Sequence, residues 1–419
     1  MRLALVLFMI LLAVQVGAYG QEPKLPEKTY YSQLFPQPTG RNGYEELVLA
    51  GDYARASDLL REAQQSVNTP LATKRAALND PPIKRALQLL RSGLAKPLIP
   101  IHPTITADTV LPEFSQFRNL ARTLLIEEYV RLADGDVAGA IESCRDCLKL
   151  GLAVGANGEI LISGLVQVAV DAIGIRVLAD HVDQLSAKDC ERLLALVLDW
   201  LKIPEPSTRI LQGERRYLLE TWKKVRSDPS QLADYFSVGE DEDPDVAKDT
   251  AAKRKEFDSL AQNTSAYQSL IDAVSAQTSA HLDAQMANLQ LPPWKRKDID
   301  FKPDHSMAGF LADNLMPSFG SSYDRFVMDR AYMQMLGIHA AIHRYMWEYD
   351  KLPDSLKQLK QATLIEDPFS GEPFIYVKTG PRTYELSSAG PYDKGTDDQP
   401  PSGKRVPFSL PRKPVASSQ

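Results

Sequence analysis

The stretch "DPFSGEPFIYVKTGPRTYELSSAGPYDKGTDD", residues 367–398, has the most specific fold pattern in this 419-residue chain. Asp367 precedes a proline and begins a predicted turn, and Gly371 permits a positive φ within it. The segments "PFIYVK" and "RTYELSS" follow as two strand patterns around a Thr-Gly-Pro turn, with Tyr384 and Leu386 on one face. We therefore predict a small antiparallel β-hairpin near the end of the chain.

A lone β-hairpin is only marginally stable in water, so this one needs a surface to pack on. The preceding segment, Tyr323 to Tyr349, carries an apolar stripe at helical spacing. We expect the hairpin to lie against this stripe and to serve as architecture.

His339 and His343 are spaced i, i+4 in the same helical segment and so share one of its faces. They are the best metal-ligand candidates in the sequence. Position 340 is alanine, where a zinc protease has its glutamate base, and two ligands alone do not make a zinc site. We interpret both imidazoles as structural.

Helical periodicity dominates the rest of the chain. Apolar residues recur every three to four positions in 44–65, 82–94, 114–132, 137–152, 158–185 and 187–201. Short turns between these segments predict antiparallel neighbours, and Gly164 and Gly174 predict close approach of a neighbouring helix. A more polar helix, Val246 to Leu289, predicts an exposed arm or a partner-facing surface. The predicted fold is mainly α: a multi-helix hairpin array with a small C-terminal antiparallel β-hairpin packed on a long helix.

These patterns divide the chain into six regions. They are a signal peptide (1–20), an extended lead-in (21–43), a helical hairpin domain (44–203), a helical arm region with an acidic linker (204–320), a C-terminal module (321–398) and a disordered tail (399–419). The acidic run Gly239 to Asp245 is interpreted as a solvated linker, because it lacks the ligand spacing of a calcium loop.

The first residues predict export. Arg2 precedes an uncharged apolar run, Leu3 to Val16, and small residues at 18 and 20 mark a cleavage site before Gln21. An uncleaved anchor is the alternative, but the run is shorter than the ~20 apolar residues that span a bilayer. We expect a periplasmic or extracellular protein without a membrane span after signal cleavage. A formal net charge of -6 argues against a nucleic-acid partner.

The sequence lacks the common hydrolase, metalloprotease and nucleotide-binding motifs, which leaves enzymatic activity open but disfavoured. Cys144 and Cys147 form a CxxC inside an apparent helix, and we interpret them as small helix residues, with at most one disulfide involving Cys190. Glu127 and Glu128 are adjacent and so point to different faces of a helix.

Three segments resemble the C-terminal part of the major pseudopilins of type II secretion. They are "HRYMWEYDKLPDSLKQL" from His343, "DPFSGEPFIYV" from Asp367 and "YELSSAGPYDKGTDD" from Tyr384. The resemblance covers about residues 338–398, and the remainder loosely resembles uncharacterised exported helical bacterial proteins. The signal segment lies far upstream of this module, so polymerisation into a pseudopilus is not expected.

In pseudopilins the final loop binds calcium through a Ser-x-Gly-x-Asp-Gly pattern. Ser388 and Gly390 match the pattern, whereas Tyr392 stands at the aspartate position and Asp393 is displaced by one residue. The resemblance implies a low-affinity calcium site formed by Ser388, Asp393, Asp397 and Asp398, with solvated turn carboxylates as the alternative. Calcium is the one cofactor that the sequence suggests.

The leading functional prediction is an exported, noncatalytic helical protein that acts as a binding or scaffold component of the bacterial cell envelope, with an envelope protein as its partner. One alternative is an exported enzyme with an unrecognised site between helices. Another is an accessory subunit of a secretion or pilus-like assembly. A cleft with convergent titratable groups would favour the enzyme. An exposed apolar patch on the polar helix would favour a partner.

Overall fold

The computed structural model describes residues 25, 29–66, 68–106, 108–236, 244–316, 319–393 and 402–411. The predicted signal peptide and most of the acidic run lie outside these residues. Within the described part of the chain, helices form the bulk of the molecule and one small sheet lies near the C-terminus. The predicted mainly α fold is confirmed.

Seven consecutive helices supply most of the first core. They are α1 (Tyr30–Leu34), α2 (Gly43–Arg55), α3 (Asp58–Ala63), α4 (Leu71–Asn79), α5 (Pro81–Leu94), α6 (Glu113–Ala133) and α7 (Val137–Ala156). The lead-in prediction is wrong for α1, because the side chain of Thr29 caps this helix and the buried Asp52 carboxylate accepts the Tyr31 amide at 2.9 Å. Tyr44 and Phe117 lie at the centre of this core, fully buried.

The predicted helix over 158–185 is broken into shorter pieces. They are α8 (Leu161–Gly174), α9 (Arg176–Asp180) and a 3₁₀ turn (Val182–Gln184), after which α10 (Ala187–Leu201) begins. The close approaches predicted at the two glycines are confirmed. A Cβ on Gly164 would lie 2.8 Å from Cζ of Phe326, and one on Gly174 would lie 2.8 Å from Cβ of Cys147.

A second helical group forms its own core. It contains α11 (Ser207–Ser227), a 3₁₀ segment (Pro229–Phe236), α12 (Pro244–Ala261), α13 (Thr264–Leu289), a 3₁₀ turn (Pro293–Lys295) and α14 (Met307–Leu315). The single polar helix predicted over 246–289 is wrong, because Asn263 caps a new helix by accepting the amides of Ser265 and Ala266 at 3.1 Å. Ile271 and Val274 are buried, so α13 is not an exposed arm.

The longest helix, α15 (Gly320–Tyr349), joins two cores. Its first turns place Tyr323 and Phe326 in the core of α11–α14. From Val327 onward the same helix packs against α10 in a third core. A 3₁₀ turn (Leu356–Leu359) and the short α16 (Ala362–Ile365) then lead to the sheet.

The sheet has three antiparallel strands in the order β1 (Ile375–Lys378), β2 (Tyr384–Ser388) and β3 (Phe408–Ser409). The predicted hairpin is confirmed, with Tyr376 opposite Leu386, and Leu386 is buried in the same core as α15. The third strand was not predicted. Disorder of the tail is wrong for residues 402–411, because β3 pairs with β2 and the next residue, Leu410, is 7% exposed.

Candidate functional site

His339 fastens the sheet to α15. Its Nδ1 lies 2.6 Å from the hydroxyl of Tyr384, and its Nε2 lies 2.6 Å from the carbonyl oxygen of Leu410. Because a carbonyl oxygen only accepts, Nε2 carries the proton and Nδ1 accepts from the tyrosine. Burial lowers the pKa of His339 to about 4, so its ring is neutral at pH 7. Both ring nitrogens of His339 are therefore hydrogen-bonded, which supports a structural role. The centroid of the His343 ring lies 6.2 Å from that of the Tyr384 ring.

Asp367, at the start of the opening stretch, organises the turn before β1 and the loop after β2. Its buried carboxylate accepts the amide of Phe369 at 3.0 Å, the hydroxyl of Ser388 at 2.9 Å and the amide of Ala389 at 2.7 Å. The Ser388 hydroxyl also accepts the amide of Gly390 at 3.0 Å. Ser388, predicted as a calcium ligand, is thus buried and committed to the turn.

The remaining calcium candidates lie farther along the loop. The backbone amide of Asp393 donates to the backbone carbonyl of Lys404 at 2.7 Å, and its carboxylate accepts the amide of Ser402 at 3.1 Å. Asp397 and Asp398 lie outside the described residues. Within the described ranges, no group of three or more His, Cys, Asp or Glu side chains is arranged to hold a metal ion. The calcium site stays a prediction, and it depends on the carboxylates of Asp393, Asp397 and Asp398.

A cleft opens where the helical arm region meets the C-terminal module. Its first cavity, of about 370 Å³, lies between the end of α13, the segment after it, the start of α15 and the loop beyond β2. A second cavity, of about 670 Å³, shares the wall residues Gln285, Ile299, Gly320 and Tyr392 with the first. We call the two cavities together the junction cleft.

Amide side chains on α13 hold one wall of the junction cleft in place. Asn288 donates to the carbonyl of Lys297 at 2.8 Å and accepts the Lys297 amide at 3.0 Å. Gln285 donates to the carbonyl of Ile299 at 2.9 Å. These bonds fix the segment after α13 against the helix, so this wall of the cleft is preformed.

Three basic residues line the first cavity, Arg296, Lys297 and Arg405, and the two arginines already have partners within the protein. Arg296 forms an ion pair with Glu205 at 2.9 Å and donates to the carbonyl of Leu291 at 3.0 Å. The guanidinium of Arg405 lies 4.3 Å above the ring of Tyr392. The contacts of the two arginines therefore stabilise the walls of the cleft.

Tyr323 lines the first cavity and carries an unmatched polar group. The residue is 7% exposed, and its ring stacks on Phe319 with centroids 5.8 Å apart. Its hydroxyl is buried and finds no hydrogen-bond partner within the described residues. Burial raises the pKa of Tyr323, so the phenol keeps its proton and offers a hydrogen-bond donor.

The second cavity has a one-sided charge. Its described lining residues include no lysine or arginine. They include four aspartates, Asp298, Asp300, Asp313 and Asp393. Burial lowers the pKa of His281, which also lines this cavity, so the imidazole does not offset that charge at pH 7. The cavity presents negative potential next to aromatic walls.

Two carboxyl groups meet inside the protein, away from the junction cleft. Asp171 on α8 and Asp329 on α15 are 0% and 5% exposed, and they approach closely enough to share a hydrogen bond. The side chain of Gln167 also lies within hydrogen-bonding reach of Asp171. Burial raises the pKa of both groups, and the pair is stable when it shares a proton. Because the pair is closed off from solvent, its geometry favours a structural role.

The adjacent acids on α6 point to different faces, as the sequence predicted. Glu127 accepts from Arg131 at 3.1 Å, from Ser143 at 2.7 Å and from Arg91 at 2.5 Å. Glu128 is fully buried, and burial together with the charge of Glu127 raises its pKa well above the ordinary value.

All three cysteines are buried free thiols. Burial raises the pKa of Cys144 and of Cys147, and that of Cys190 to about 11. Thiols with raised pKa values in a closed core are poor nucleophiles, which fits their interpretation as small helix residues.

Of the residues that line the junction cleft, the sequence predicted a site role for Asp393 and not for the others. One available signal was the polar stripe of His281, Gln285 and Asn288, which are spaced i, i+4 and i+7 on α13. The start of α15 lies about 35 residues farther along the chain and the loop beyond β2 about a hundred, and no local pattern relates these walls to the stripe.

No protein-family model, curated protein or solved structure gives a significant match to this chain. The resemblance to major pseudopilins therefore stays a prediction. None of the described helices combines the length and the apolar character needed to cross a membrane.

Proposed function

We propose that the protein is an exported, noncatalytic binding component of the bacterial cell envelope, and that the junction cleft binds its partner protein. The observation that carries this proposal is the preformed cleft itself, with walls from α13, α15 and the loop beyond β2. Concave sites with aromatic walls and a few placed polar groups are the usual binding sites of proteins.

The use of the polar groups supports a noncatalytic role. The imidazole of His339 is hydrogen-bonded at both nitrogens, and Asp367 accepts three donors of the C-terminal module. Groups of this kind would transfer protons in an enzyme, but here they hold the sheet on α15. In this proposal the pseudopilin-like module acts as a stabilising cap that also completes the cleft, and the signal pattern before Gln21 supports export.

A matched pair of substitutions tests the role of the cleft. Ser321 is exposed at the second position of α15 and lines the second cavity, so Ser321→Trp would fill it. Ser265 is exposed at the second position of α13 and does not line either cavity, so Ser265→Trp is the control. Tagged forms of both variants and of the wild type would be captured from cell-envelope extract under identical conditions.

We expect the wild type and Ser265→Trp to retain the same envelope protein, and Ser321→Trp to lose it. Thermal unfolding of each variant would establish that the folded state is kept. Equal recovery of the partner by all three forms would contradict the cleft as the binding site. Recovery of the protein only from the cytoplasmic fraction would contradict its place at the envelope.

A further inference from the structure

The second cavity of the junction cleft selects for positive charge. Its four aspartates lie around a volume of about 670 Å³, and its described lining residues include no lysine or arginine. Asp300 and Asp313 line this cavity and are exposed, so a charged ligand can contact their carboxylates directly. Charge complementarity of this kind favours a cationic ligand and disfavours an anionic one.

The aromatic walls of that cavity fit a long basic side chain. Phe301 and Phe319 line it beside Tyr392, whose ring already carries Arg405 on one face, and the ring of His281 meets Phe301 edge to face at 5.1 Å. A lysine or arginine packs its alkyl stem on such rings while its charged head stays with the carboxylates. Rings and carboxylates together therefore suit an extended cationic side chain better than a bare ion.

The first cavity adds an independent observation. Tyr323 is 7% exposed, and its hydroxyl has no hydrogen-bond partner among the described residues. A buried polar group without a partner is costly, and a ligand that supplies an acceptor removes this cost. Backbone carbonyls of a polypeptide are acceptors of the required kind.

We infer that the junction cleft binds an extended polypeptide segment, which places a lysine or arginine side chain in the acidic second cavity and its backbone along the first. This inference rests on the proposed function and names the chemistry of the partner. Two adjoining cavities, one acidic and aromatic and one with an unmatched hydroxyl, match a side chain and the backbone that carries it.

Fluorescence anisotropy with short labelled peptides tests the inference on the full chain. Three peptides of equal length would have serine at alternate positions, and lysine, glutamine or glutamate between them. We expect the lysine peptide to bind about tenfold or more tightly than the glutamate peptide, with the affinity falling as salt is added. The double variant Asp300→Asn/Asp313→Asn should weaken lysine-peptide binding by about tenfold.

The double variant Glu62→Gln/Glu256→Gln is the matched control, because it removes two exposed carboxylates that do not line the junction cleft. It should change the affinity by less than about twofold. Thermal unfolding would check that both double variants are folded.

Three results would overturn the inference. One is binding of the glutamate peptide as tight as that of the lysine peptide. Another is binding of free spermidine as tight as that of the peptide, which would assign the site to a small organic cation. The third is the absence of binding by every peptide. None of these would change the outcome of the capture experiment with Ser321→Trp, so failure of the inference and failure of the proposed function are distinguishable.

Discussion

Replacement of His339 by phenylalanine removes the side-chain hydrogen bonds that join α15 to the C-terminal module, while it keeps an aromatic ring at this position. The variant loses the hydrogen bonds to the Tyr384 hydroxyl and to the Leu410 carbonyl, both 2.6 Å long. Each loss leaves a polar group without its partner, at a cost of about 1–3 kcal/mol. We therefore expect His339→Phe to lower the free energy of unfolding by about 2–6 kcal/mol at pH 7.5.

The same histidine predicts a dependence of stability on pH. Its pKa in the folded protein is about 4, below the value of about 6.5 in an unfolded chain. As the pH falls below 6.5 the unfolded state takes up the proton first, so His339 costs the wild type stability down to about pH 4. The loss reaches about 3 kcal/mol over this interval. His339→Phe should lack this part of the pH dependence.

Urea unfolding followed by far-ultraviolet circular dichroism between pH 4 and pH 8 measures both effects. His343→Phe is the control, because His343 lies one turn away and makes no hydrogen bond within the described part of the chain. We expect the control to lose less than about 1 kcal/mol. Stability and pH slope of His339→Phe equal to those of the wild type would refute the reasoning.

Three further substitutions test other parts of the structure. Burial raises the pKa of Asp329 to about 8, so the protonated group stabilises the fold fully below about pH 4, and this contribution is lost as the pH rises from about 4 to about 8. Asp329→Asn should reduce this loss, and an unchanged pH slope in urea titrations would contradict the shared proton. Asp367→Ala removes the acceptor of three hydrogen bonds and should cost about 3 kcal/mol or more by the same measurement, whereas a cost below about 1 kcal/mol would show that the turn does not depend on it. Gly164→Leu places atoms within 2.8 Å of the Phe326 ring and should cost about 1–3 kcal/mol, so a thermal midpoint equal to that of the wild type would argue against this helix contact.

Local patterns were enough to predict α15 and the hairpin. The apolar stripe of the helix, the alternation around Tyr384 and the turn at Asp367 are each encoded within a few residues. Because a hairpin needs a surface to pack on, the neighbouring apolar helix was the predicted packing partner. The hydrogen bond between His339 of α15 and Tyr384 of β2 confirms that the two are in contact.

Other features depend on contacts between distant residues. The strand at Phe408 pairs with Ser388, some twenty positions earlier, and the burial of Leu410 comes from the tertiary fold. The junction cleft combines Gln285 with Tyr392, and the acid pair combines two helices that lie far apart in sequence. Periodicity within one helix identifies its buried face only when the neighbouring elements are known.

The central claim is that the C-terminal module belongs to the body of the protein and completes the junction cleft. Hydrogen exchange of the backbone amides tests it most directly, because exchange reports the free energy of local opening. The account predicts that amides of β2, around Leu386, exchange with the same opening free energy as amides of α15, around Leu336. Exchange of the β2 amides about a hundredfold or more faster than those of α15 would contradict it, because the sheet would then open independently of the helix.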